Sequence, residues 1–159
     1  MLLVVGLDGA GKTTWLHRLQ TGNTPANTLP TVVSNYEDFT YKDVAFGLWD
    51  LGGQNVYRSL WKYHLSGAKG LLFVLDSTDR LRINEAKQEL FDLLAEDKLR
   101  EALLVVLANK QVSLAESAQL TAICTAIKFI FNVFSTFDFY IDRINRTRCL
   151  LKTFAKLFR

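Results

Sequence analysis

The sequence predicts a single α/β domain with a mostly parallel, doubly wound sheet of roughly five or six strands. Unbroken apolar runs at Leu2–Val5, Leu71–Leu75 and Leu103–Ala108 suit strands buried on both faces, as parallel strands are. Helix-period segments follow the first two runs, and such alternation implies right-handed crossovers. At 159 residues, 49% hydrophobic and 22% charged, the chain amounts to about one domain and is too apolar for a disordered segment.

The elements read in order as follows. After Leu2–Val5 comes a glycine-rich turn, then a helix over Thr13–Gln20 with Trp15, Leu16 and Leu19 at helical spacing. Thr21–Thr31 holds both prolines, Gly22 and two asparagines and reads as loop. Tyr36–Tyr41 and Val44–Trp49 fit two strands joined by a Lys42-Asp43 turn. After Leu71–Leu75, Ser77-Thr78-Asp79 offers N-caps for a helix over about Arg82–Glu96. Its apolar positions Ile83, Ala86, Leu90, Leu93 and Leu94 share one face. Ser113–Thr125 is expected to be helical. Phe129–Tyr140 reads either as a strand or as another core segment, and Arg143–Arg159 as an amphipathic helix. With neither internal repeat nor linker, residues 1–159 are expected to form one domain.

Composition narrows the function classes. Two cysteines, Cys124 and Cys149, make neither a metal-ligand spacing nor a disulfide framework, which points to a reduced intracellular compartment. No apolar run of about 20 residues reads as a membrane span, and the opening is too short for a signal-peptide core. The net charge of +3 is uneven: residues 1–110 carry 12 Lys/Arg against 13 Asp/Glu, residues 111–159 carry 7 against 3. The basic Arg143–Arg159 stretch reads as a solvated helix face packed on the sheet, or as a contact for anionic lipid. No nucleic-acid partner is expected.

The chemistry sits at strand ends. Gly6-Leu7-Asp8-Gly9-Ala10-Gly11-Lys12-Thr13 satisfies G-x-x-x-x-G-K-[ST] between a strand and a helix, the context a phosphate-binding P-loop requires. Its glycines let backbone N–H groups from Leu7 to Thr14 turn toward phosphate oxygens, and the helix N-terminus adds its dipole. Lys12 would put a point charge on the β- and γ-phosphates, and Thr13 a hydroxyl on Mg²⁺. Kinases, ATPases and GTPases all use this loop. Further along, Asp50-Leu-Gly-Gly53 ends a strand with a carboxylate for the metal shell and a glycine N–H for the γ-phosphate. Gln54 could orient an attacking water, Thr31 could add a second metal hydroxyl, and Asn109-Lys110 closes the third buried strand on the ligand-binding edge. His17 and His64 are expected to be surface residues, and Trp61 and Tyr63 packing or partner surface.

Together, Gly6–Thr14, Thr28-Leu-Pro-Thr31, Trp49-Asp-Leu-Gly-Gly-Gln54, Val74-Leu-Asp-Ser77 and Ala108-Asn-Lys-Gln111 resemble the ADP-ribosylation factor and factor-like family of small GTPases. The Trp-Asp-x-Gly-Gly-Gln form is particular to that family among small GTPases. The resemblance spans residues 1–111, leaving 112–159 divergent. It implies the small G-protein form of the P-loop fold and slow, Mg²⁺-dependent hydrolysis of GTP to GDP. The Thr31 loop and Asp50–Tyr63 would respond to the γ-phosphate. It also implies an exchange factor, an activating protein, effectors and a role in vesicle-mediated or intracellular protein transport. The expected location is the cytoplasm, with peripheral contact at the Golgi or other endomembranes.

In this reading Gln54 is catalytic. Leu7, Asp8, Gly9, Ala10, Gly11, Lys12, Thr13, Thr14, Thr31, Asp50, Gly53, Asn109 and Lys110 hold the nucleotide, and Thr13 and Thr31 ligate Mg²⁺. The sequence departs from the family pattern in several places. It opens at Met1-Leu2 in the first strand, so neither a front amphipathic helix nor a myristoylated glycine is expected. Val33 replaces a glycine, and Ser34 and His64 replace aromatics. Val112 stands where an aspartate normally accepts two hydrogen bonds from guanine, and past it no Ser/Cys-Ala-x base-supporting loop is found. These losses favour an alternative, a degenerate module that binds partners with little or no turnover.

Overall fold

The computed structural model describes residues 1–41, 44–110 and 138–141. The chain runs through β1 (Leu2–Val5), α1 (Lys12–Thr21), β2 (Ser34–Tyr41), β3 (Val44–Leu51) and two single-turn helices, α2 (Asn55–Arg58) and α3 (Trp61–His64). It continues through β4 (Gly70–Asp76), α4 (Ile83–Leu94), a 3-10 turn at Asp97–Leu99, β5 (Leu103–Asn109) and β6 (Asp138–Ile141). The six strands form one sheet in the order β2-β3-β1-β4-β5-β6. β2 pairs antiparallel with β3, and every other pairing is parallel.

The period-2 geometry of strands divides the core between two faces. Leu2 and Val4 of β1 join Leu72, Val74, Val105 and Leu107 under Trp15 and Leu16 of α1. Leu3 and Val5 join Leu71, Phe73, Leu104 and Val106 against Trp61, Leu65 and the buried stripe Ala86, Leu90 and Leu93 of α4. Each buried Leu or Phe side chain contributes about 1.5–3 kcal/mol. Because both faces are covered, apolar runs without alternation are what the parallel strands need.

The register places the site. Val4 of β1 lies beside Asp50 of β3, and Asp76 of β4 beside Asn109 of β5, so these polar strand ends reach the same sheet edge as the turn after β1. Gly6 has φ 140°, and a Cβ there would collide with the carbonyl oxygen of Val74 in β4. Only glycine lets the chain leave β1 this close to its neighbour.

Several boundaries differ from expectation. β2 begins at Ser34 and β3 extends to Leu51, because their antiparallel pairing continues to Ser34 opposite Leu51. None of Ser77, Thr78 and Asp79 is the N-cap of α4. That position is Arg82, whose N–H is accepted by Asp79 Oδ1 at 3.2 Å, while Thr78 N–H and Oγ1 both donate to Asp76 Oδ1. α2 and α3 span one turn each, too short to show a periodicity. The Lys42-Asp43 turn, Val112, Ser113–Thr125, residues 129–137, both cysteines and Arg143–Arg159 lie outside the described residues.

Gly6→Ala should lower the unfolding free energy by about 3 kcal/mol, since the obstacle is β4 backbone and cannot rotate away. Chemical denaturation checks this; wild-type stability in the variant would contradict the close approach.

Candidate functional site: a phosphate loop at the sheet edge

The loop between β1 and α1 curls around the first turn of the helix. Gly9 and Gly11 also lie at positive φ, and Gly11 is the N-cap of α1, so the helix begins at Lys12 with its N–H groups facing the loop. Lys12 is 6% exposed. Its Nζ donates to the carbonyl oxygens of Gly6 at 2.9 Å and Leu7 at 3.0 Å, so the charge sits inside the curl. Burial pushes this ammonium from 10.5 down to about 8, against the charges of Asp50 and Asp8 that favour it.

Next to Lys12, three oxygen groups from distant parts of the chain converge. Thr13 Oγ1 donates to Asp50 Oδ2 at 2.5 Å and lies 2.9 Å from Thr31 Oγ1, which itself donates to Asp50 Oδ2 at 3.2 Å. Asp50 is 1% exposed, and burial raises its pKa although Thr13, Lys12 and Thr31 stabilise the anion. Asp50 Oδ1 is buried without a hydrogen-bond partner among the described residues. An orphaned carboxylate oxygen costs free energy unless a donor or a cation meets it. Two hydroxyls and one carboxylate form a hard, all-oxygen set, the kind that suits Mg²⁺. These residues fit that ion, with Thr13 and Thr31 as ligands and Asp50 behind them.

The end of β3 is clamped onto this loop. Gly52 N–H donates to Val33 O at 2.8 Å, and Asp8 N–H donates to Gly53 O at 3.0 Å. A Cβ on Gly53 would stand 2.5 Å from Asp8 N, Gly6 O and the Leu7 carbonyl carbon, so no other residue fits there. Gln54 follows as the N-cap of α2. A cleft of about 470 Å³ opens between the loop and the 28–31 segment. It is lined by Asp8, Gly9, Gly11, Lys12, Thr13, Thr14, Thr31, Gly53, Gln54 and Lys110, all expected site residues, and also by Thr28, Leu29 and Pro30.

Leu7, Ala10, Asp50 and Asn109, the other expected residues, do not line the cleft. Leu7 and Ala10 are core side chains that could offer only backbone. Asp50 supports the hydroxyls from below. Asn109 Nδ2 donates to Ala10 O at 2.8 Å and so braces the loop from β5. Lys110 has φ 58°, and its Nζ is 2.7 Å from Asp76 Oδ2. His64 packs tilted against Trp49 with ring centroids 4.7 Å apart, and Trp49 against Tyr36 at 5.1 Å, so His64 belongs to a surface aromatic row. Trp61 is buried and donates from Nε1 to Gly52 O at 2.9 Å, while Tyr63 is 78% exposed. Sequence reasoning missed Arg58. Its side chain is 5% exposed, and it joins Gly53 O, Asp8, Glu85 and Glu89. An arginine at the end of a one-turn helix carries no pattern that would have found it.

The Lys12 shift has a measurable sign. The folded chain binds this proton less tightly than the unfolded chain, so losing it favours folding as pH rises from about 8 to 10.5. The stability of Lys12→Met relative to wild type should therefore fall across that window, by up to about 3 kcal/mol. Denaturant titrations without nucleotide check this; a pH-independent difference would contradict the burial of the charge.

The family model described as the ADP-ribosylation factor family matches residues 1–132, past the Gln111 at which the recognisable motifs stop. Among solved structures the fold is similar to that of the small GTPase Arl6 (BBS3) from Trypanosoma brucei, solved with the bound nucleotide analogue GppNp. That likeness has a TM-score of 0.76 at 23% identity and covers 99% of this chain and 95% of that one. With the family match spanning most of its length, this chain belongs to the ADP-ribosylation factor family.

Proposed function

We propose that this chain is a GTP-binding switch that hydrolyses the γ-phosphate slowly with Mg²⁺. The observation that carries the reading is the convergence of Thr13, Thr31 and the half-satisfied Asp50 beside Lys12, at the mouth of a phosphate loop. Membership of the family and the nucleotide analogue in the similar Arl6 structure support it.

The chain's own residues would work mainly by positioning and charge. The backbone of Leu7–Thr14 and the start of α1 would receive the phosphates. Lys12 would turn from Gly6 O and Leu7 O toward the β- and γ-oxygens, and the phosphate charge would hold its proton. Thr13 and Thr31 would ligate Mg²⁺, which when bound offsets charge shared by the β- and γ-phosphates. Asp50 would hold the two hydroxyls and a metal-bound water. Gly53, fixed against the loop, would meet the γ-phosphate through its N–H, and Gln54 would orient the attacking water. Asn109 would keep the loop closed, with Lys110 beside the base.

Its regulation would follow the family, with an exchange factor, an activating protein and effectors serving vesicle-mediated or intracellular protein transport in the cytoplasm. Among the described residues no helix is long and apolar enough to cross a membrane. We place the chain in the cytoplasm, with peripheral contact at the Golgi or other endomembranes.

Val112 favours a second reading, a partner-binding module with weak or no turnover. A valine cannot accept the two guanine hydrogen bonds, each worth about 1.5–3 kcal/mol.

Both readings meet in one experiment, comparing GTP and ATP binding and single-turnover hydrolysis in wild type, Gln54→Leu and Val112→Asp. The switch reading expects Gln54→Leu to bind GTP normally and hydrolyse it about tenfold to a hundredfold more slowly. Val112→Asp should tighten GTP and restore its preference over ATP. No GTP binding in wild type or in Val112→Asp would make the module reading the better one.

A further inference from the structure

Arg58 is a buried cation with no part in the chemistry proposed above. It is the last residue of α2, yet its side chain runs back along the chain: Nε donates to Gly53 O at 2.8 Å. Its Nη1 donates to Glu85 Oε1 at 2.6 Å and to Glu89 Oε1 at 3.0 Å, and Nη2 lies 3.5 Å from Asp8 Oδ1. Glu85 and Glu89 stand one turn apart on α4, so one guanidinium spans both. Burial works against the charge, but the two glutamates outweigh it and hold Arg58 protonated.

What this guanidinium grips is a single backbone oxygen. Gly53 O accepts from Asp8 N–H and from Arg58 Nε, which uses both of its lone pairs. The carbonyl of Gly53 and the N–H of Gln54 belong to one planar peptide unit. Holding the oxygen therefore sets where the backbone of Gln54 begins. Just behind it, Trp61 Nε1 holds Gly52 O. Lysine cannot replace this grip, because its single ammonium lacks the planar fork that reaches backwards to Gly53 and sideways to α4.

We propose that Arg58 is a positioning residue for hydrolysis: anchored on Glu85 and Glu89 of α4, it fixes the Gly53–Gln54 peptide against the phosphate loop, so that α4 governs the alignment of Gln54. The proposal rests on the GTPase reading above. It adds a connection from the outer surface of α4, where Glu85 and Glu89 remain partly exposed, to the residue that orients the water. A partner that draws those carboxylates away from Arg58 would slow hydrolysis without touching the nucleotide.

The test uses the full chain loaded with GTP and follows single-turnover hydrolysis, nucleotide dissociation and the tryptophan fluorescence change between the GDP and GTPγS forms. Arg58→Lys, and separately Glu85→Ala with Glu89→Ala, should slow hydrolysis about tenfold to a hundredfold, as small misplacements of a reacting group do. GDP dissociation should stay within about threefold of wild type, since Gly53 is assigned to the γ-phosphate that GDP lacks. The fluorescence change should shrink, because Trp61 is bonded to the same strand end. Alanine favours helix, so the glutamate double variant keeps α4 folded and separates positioning from collapse. Wild-type rates per bound nucleotide in both variants, with only the melting temperature lowered, would show Arg58 to be structural and overturn the proposal alone. A wild-type chain that binds no GTP would overturn the GTPase reading and this one with it.

Discussion

A buried carboxylate with one satisfied oxygen organises this molecule. Asp50 reaches the edge of the sheet because β3 pairs in parallel register with β1, and there it accepts hydrogen bonds from Thr13 of α1 and Thr31 of the following loop. Three segments far apart in sequence are thereby tied at one point. The second oxygen is unmatched among the described residues, and the charge of the buried Lys12 acts on the same carboxylate. Two partly compensated charges in a protein interior are expensive. Phosphate and a divalent cation would relieve both, the anion taking up Lys12 and the cation meeting the oxygen cluster. The cost in the isolated chain would then be the counterpart of affinity for a charged ligand.

Close packing of backbone on backbone does the rest. Gly6 passes β4 where no Cβ could, and Gly53 lies on the phosphate loop with equally little room. These contacts transmit position: the loop cannot shift without moving the strand end that carries Gln54. Arg58 extends the same chain of contacts outward to α4. Val33 adds a complication. At φ 66° it holds a backbone conformation that disfavours a β-branched residue, and its carbonyl accepts from Gly52 N–H. The family pattern has glycine there, so the connection between the Thr31 loop and β3 carries strain that glycine would avoid.

Much of this was legible in the sequence because it rests on local rules. Three unbroken apolar runs became three adjacent parallel strands, and the G-x-x-x-x-G-K-T turn became the phosphate loop. Ala86, Leu90 and Leu93 of α4 are buried as their spacing required. What escaped depends on tertiary contact. Asn109 read as one of the nucleotide-holding residues; that its amide also braces Ala10 is a relation that requires knowing β5 ends beside the loop. Arg58 had no neighbours in sequence to mark it, since its partners are Asp8, Gly53, Glu85 and Glu89. α4 begins where its periodicity placed it, but Thr78 does not cap it because Thr78 bonds to Asp76.

The central claim is that the Asp50 cluster and Lys12 form one site for a nucleotide phosphate with its metal. Calorimetric binding of a non-hydrolysable GTP analogue, with Mg²⁺ and again with excess chelator, tests it most directly. The account predicts binding that tightens at least about tenfold with Mg²⁺, and loss of that gain in Thr13→Ala. Equal affinity with and without the metal would contradict it.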